Sequence, residues 1–152
     1  FTQVMSWVGP GLMVAWYAIV AGVLLLAFRL FGGEGTYKQA FAATVYSWFP
    51  LLIFSVISTI VVLARGSFNP ITAATMVKSN PAFLVDMKEQ PVLFALLSSF
   101  DVFTIWTVAL LVIGFSALSR FSRGRSAAIV LSLWALLIVI KTGFAALGAS
   151  QG

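Results

Sequence analysis

Val102–Ser119 reads VFTIWTVALLVIGFSALS, eighteen residues without a charge. At about 1.5 Å per residue an α-helix of that length covers about 27 Å, close to the roughly 30 Å of a bilayer's hydrocarbon. The apolar run can be extended back to Val92, but the helix would then reach about 42 Å and need a strong tilt. We therefore read a span over 92–119 whose membrane part is about 101–119, with Pro91–Phe100 in the interface. Asp101 stands at its edge, where an acid favours a helix N-terminus.

Three more runs of similar character flank it. Residues 10–31 are uncharged until Arg29, which can snorkel to a headgroup layer. Residues 40–64 carry no charge, and residues 127–148 carry one, Lys141. The connections GGEGTYK and SRFSRGR are short enough to require antiparallel neighbours. Residues 65–90 form the long loop, punctuated by Asn69-Pro70 and Asn80-Pro81. The expected fold is thus all-α: one polytopic transmembrane helix bundle over 1–152 with four visible spans. Composition agrees, since 61% of the 152 residues are hydrophobic and 9% charged, outside the range of soluble domains.

Lys and Arg concentrate in cytoplasmic loops. Arg29, Lys38, Arg120, Arg123 and Arg125 border the two short connections, whereas Arg65, Lys78 and Lys88 lie on the other side, partly offset by Asp86 and Glu89. This bias places the short turns in the cytoplasm, and both chain ends and the 65–90 loop outside. Arg120, Arg123 and Arg125 form the basic turn; topogenic charge suffices to explain them, although such a turn also attracts anionic headgroups.

The segment GEGTYKQAFAATVYSWFPLLI, Gly33–Ile53, resembles the Yip1-domain family in its Gly-rich turn, its polar entry and the proline inside the following span. SSFDVFTIWTVALLVIGFSALSRFSRGRSAAIVLSLWALL, Ser98–Leu137, is similar to that family's bacterial branch in its acidic-aromatic entry, the Ile-Gly pair within the span and the basic turn. The resemblance implies a plan of five spans with a cytosolic amino terminus, in a bacterial cytoplasmic membrane. Four spans are visible and the chain starts at Phe1 without a secretory n-region, so the expectation is that an upstream segment and first span precede it.

Counting from the shared turn, Asp101 and Lys141 fall at depths differing by about 6 Å. A charge near hydrocarbon is costly unless paired. The expectation is an Asp101–Lys141 ion pair tying the last two spans; the alternatives are a solvated helix cap for Asp101 and outward snorkelling for Lys141. Pro50 removes a backbone donor and is expected to kink the second span. Ser47, Ser55, Ser58 and Thr59 suggest a polar packing seam, and Gly22, Gly114, Gly143 and Gly148 suggest close helix approach. A lipid-exposed aromatic surface is expected from Phe28, Phe31, Phe41, Phe49, Phe54, Phe103 and Phe115.

Catalysis has little to draw on. His and Cys are absent, the chain holds four acids, and no nucleophile elbow or phosphate loop occurs. We expect no enzyme, no metal site and no cofactor; lipid is an expected companion, and pigment only through a larger complex. Nucleic acid is not expected as a partner; membrane lipids and other membrane proteins are. The family resemblance implies a scaffold that organises lipid or protein partners. The alternative is an accessory subunit on the periphery of a larger bioenergetic or photosynthetic membrane complex, stabilising it and contacting its lipid or pigment.

Overall fold

The computed structural model describes residues 2–66 and 79–150, with side chains from residue 11 onward except at 65. Among the described residues six α-helices follow one another: α1 Thr2–Leu30, α2 Tyr37–Ser47, α3 Phe49–Arg65, α4 Pro91–Leu97, α5 Val102–Ser119 and α6 Arg123–Ala149. A 3-10 turn at Pro81–Leu84 precedes α4. The chain is all-helical, and no strand occurs among the described residues. Among the described residues four stretches are long and apolar enough to cross a membrane: Gly11–Leu30, Tyr37–Ala64 across the α2–α3 junction, Val102–Ser119 and Arg123–Ala149. Lys78, part of the charge argument, lies outside the described residues, as does the side chain of Arg65.

Local chemistry sets the helix boundaries. Thr36 starts α2 with a capping box, its hydroxyl accepting from Gln39 N while its own N–H donates to the Gln39 side chain at 2.9 Å. The run α2–α3 is interrupted at Trp48, whose N–H turns back to the Val45 carbonyl at 3.2 Å. Helix α3 then begins at Phe49 with Pro50 as its second residue, a position where the missing N–H has no helical partner to lose. Ser122 opens α6, accepting from Arg125 N at 3.3 Å.

The chain forms two compact units, Phe1–Trp48 with Ala109–Val130, and Phe49–Val108 with Leu131–Gly152. In the first, Ala21, Phe28, Ala40, Thr44, Phe115 and Ser126 are wholly buried. Tyr37 links α2 to α1 by donating to the Ala18 carbonyl at 3.0 Å, and a Cβ on Gly114 would lie 3.3 Å from that of Ala43, so α5 and α2 approach closely there. Thr44 and Ser47 are buried, each spending its hydroxyl on the carbonyl four residues back. In the second unit the ring pairs Phe54–Phe103 and Phe100–Trp134 have centroids 5.3 and 5.5 Å apart.

Two expectations need correction. Phe28 and Phe115 are not on a lipid-exposed surface: both are fully buried, with ring centroids 5.0 Å apart. Lipid and protein core are equally apolar, so hydropathy cannot distinguish the two faces. Gly143 and Gly148 mark no close approach, since a Cβ on either would meet nothing within 4 Å.

Candidate functional site

The two short connections are locked together. Gly33 lies so close that an added Cβ would come within 2.9 Å of the Phe28 carbonyl oxygen, 3.1 Å of Ser119 Cβ and 3.2 Å of Phe121 Cζ. Gly32 and Gly35 hold φ of 83° and 120°, a region that side chains beyond hydrogen disfavour, and a Cβ on Gly35 would strike Leu118. Glycine is needed here because the turn's backbone rests directly on the end of α5.

Hydrogen bonds then cross between the turns. Glu34 N donates to the Ser119 carbonyl at 3.3 Å, and Arg125 Nη2 donates to the Phe31 carbonyl at 2.7 Å. The Arg125 guanidinium also lies 3.9 Å from the centroid of the Phe121 ring, which stacks on Phe28 at 5.9 Å. Arg29 reaches the Gly35 carbonyl at 3.0 Å. Arg120, itself in a left-handed conformation with φ of 60°, pairs with Glu34 at 3.2 Å. That pair is 79% and 63% exposed, so it adds little stability. Arg123 and Lys38 flank the platform at the starts of α6 and α2. The basic turn of the sequence is therefore a structured face, one of whose arginines, Arg125, also satisfies a carbonyl at the end of α1.

Asp101 and Lys141 take other partners. One Asp101 carboxylate oxygen accepts from Phe103 N at 2.8 Å and Thr104 N at 3.4 Å, and the other accepts from the Ser79 hydroxyl. Asp101 is buried and caps α5. Lys141 Nζ donates to Ser98 Oγ at 2.8 Å and Ser99 Oγ at 3.2 Å. No ion pair joins Asp101 to Lys141 among the described residues. The capping geometry supplies the reason: a carboxylate already holding three donors gains little from a cation it would have to turn away to meet.

Sequence reasoning passed over Ser79, Ser98 and Ser99, which serve these charges. For Ser79 a signal existed in the Ser79-Asn80-Pro81 turn. Asn80 caps the 3-10 turn through Ala82 N at 3.0 Å, and the Ser79 carbonyl accepts from Val102 N at 3.2 Å, fastening this end of the long loop to the start of α5.

Residues 1–143 match the sequence profile of the Yip1 domain. The chain belongs to the Yip1 family. It is thus a membrane protein of that family, with four helices suited to spanning a bilayer. No curated protein and no solved structure matches it. Both interlocked turns and both charged clusters fall within the matched residues, so the Yip1 domain includes the whole of this machinery.

Proposed function

We propose that this Yip1-family chain is a non-enzymatic membrane scaffold whose interlocked turns present a fixed polar face to protein or lipid partners. The observation that carries this reading is the turn-to-turn lock, in which Gly33 lies against Ser119 and Phe121, Gly35 lies against Leu118, Glu34 N donates to the Ser119 carbonyl and Arg125 bridges to Phe31. A face held in this way is pre-organised, and pre-organisation lowers the ordering cost of binding. Exposed Arg120, Arg123 and Glu34 give it mixed polarity with a positive excess. By the distribution of Lys and Arg this face is cytoplasmic, and the 65–90 loop is on the opposite side. The family resemblance supports a bacterial cytoplasmic membrane.

Orientation can be tested on the chain as it is, because it contains no cysteine. A single cysteine at Gly124, where a Cβ meets nothing within 4 Å, should resist an impermeant maleimide in intact cells and react after permeabilisation. Native mass determination of the protein taken from its own membrane, with an absorption spectrum of the same sample, tests the role. A lone chain or small homo-oligomer carrying lipid supports the scaffold. Stoichiometric large subunits, with or without pigment, would instead make it an accessory subunit of a larger membrane complex.

A further inference from the structure

Positive charge gathers around the two short turns, within the unit of residues 1–48 and 109–130. Arg29, Lys38, Arg120, Arg123 and Arg125 are five of the chain's nine Lys and Arg, and Glu34 is the one acid among them out of four. The turns themselves are short: residues 31–36 join α1 to α2, and residues 120–122 join α5 to α6. Each of those helices belongs to a run of membrane length. A connection of so few residues between two such runs cannot carry its charges far from the bilayer, so these cations stand at headgroup level.

The five cations are not equivalent. Arg29 and Arg125 are committed to the fold, through the Gly35 and Phe31 carbonyls. Arg120 is held by Glu34 through Nε at 3.2 Å, which leaves its two terminal nitrogens. Lys38 and Arg123 are exposed, and neither side chain takes a hydrogen bond or an ion pair among the described residues. Leu30 and Phe31, next to Arg29 in the chain, are large, apolar and exposed. A soluble acidic partner would match the charge alone. A phospholipid presents phosphate and acyl chain together, at the boundary where these cations and apolar side chains meet.

We propose that Lys38, Arg120 and Arg123 bind the phosphate of an anionic phospholipid in the leaflet bordering the two turns, and that Glu34 competes with that lipid for Arg120. The face carries five cations against one acid, so a headgroup whose phosphate is offset by its own amine gains less from it. This inference rests on the reading of the turns as a presenting face and names the partner it presents to.

The test uses the full chain, delipidated in mild detergent and titrated with phosphatidylglycerol and phosphatidylcholine of identical acyl chains, with bound lipid counted by native mass spectrometry. Phosphatidylglycerol should bind about tenfold more tightly, the scale of one or two basic residues near a membrane surface. Lys38→Gln combined with Arg123→Gln should abolish that preference. Glu34→Gln should widen it about threefold by releasing Arg120. Lys141→Gln removes a positive charge from the other unit and should leave the preference unchanged. Equal binding of the two lipids by the unaltered chain would overturn the lipid assignment, and that comparison needs no variant to fold. A loss in Lys141→Gln as large as in the double variant would replace the site by net charge, and no change in Glu34→Gln would overturn the competition for Arg120. Tighter binding of a hexaglutamate peptide than of phosphatidylglycerol would make the face a protein-docking surface. Failure of the lipid assignment is distinct from failure of the scaffold reading, which stoichiometric large subunits in the native membrane would bring about whatever the lipid preference.

Discussion

The interlocked turns and the Asp101–Lys141 region both hold charge at the ends of apolar helices, yet they handle it differently. In the turns, glycines at 33 and 35 leave room for Ser119, Phe121 and Leu118, Phe28, Phe115 and Phe121 fill the space beneath, and guanidinium groups close on carbonyls. Around Asp101 and Lys141, serine hydroxyls bridge the charges to the fold, and large apolar residues such as Phe100, Val102 and Ile105 remain exposed. The difference shows what stabilises a chain whose surroundings are as apolar as its core. Hydrophobicity gives little reason for one apolar face to bury against another, so close packing and satisfied backbone groups decide where the structure is tight.

Five single substitutions and one double would break or sharpen this contrast, each read by reversible unfolding of the full chain in mixed detergent. Phe115→Ala should have the largest effect, a loss of about 3 kcal/mol, because it opens a cavity against Phe28; a loss below about 1 kcal/mol would mean that the turn region is not the tighter one. Gly33→Ala comes next, at about 2 kcal/mol, since its Cβ meets the Phe28 carbonyl oxygen, which cannot rotate away. Gly143→Ala, with nothing within 4 Å, is its control and should be neutral or slightly stabilising.

Asp101→Ala should cost about 1 kcal/mol as a lost helix cap. Combined with Lys141→Gln, it should give additive losses, with coupling within about 0.5 kcal/mol. Coupling well above that value would restore a direct ion pair between the last two spans. Apart from the Gly143→Ala control, the smallest effect is expected for Glu34→Gln, below about 0.5 kcal/mol, because its pair with Arg120 is exposed on both sides.

Much of the helical layout was legible because it follows from local rules. A charge-free run long enough to cross a bilayer must satisfy its own backbone, and so forms a helix, whatever its neighbours. The start of α5 after Asp101 was readable from the acid's preference for a helix N-terminus. Pro50 stood out as an interruption, and the structure breaks the helix two residues earlier, at Trp48, where the backbone leaves α2. The partners of Asp101 and Lys141 were not legible. Counting residues puts the two charges at similar depth, but it does not say which way each side chain turns, and Ser79, Ser98 and Ser99 intervene.

By itself the sequence determined the class of protein, the number of long apolar helices and the positions of the basic turns. These depend on composition, run length and charge, which act along the chain. Only the tertiary structure decided that Phe28 and Phe115 are core and Phe31 and Phe49 are exposed, that Gly33 and Gly35 are closely approached by Ser119, Phe121 and Leu118, and that Asp101 and Lys141 bond to serines. The physical reason is that a residue's hydropathy is the same whether it faces lipid or protein, whereas contact and hydrogen bonding depend on what lies across from it.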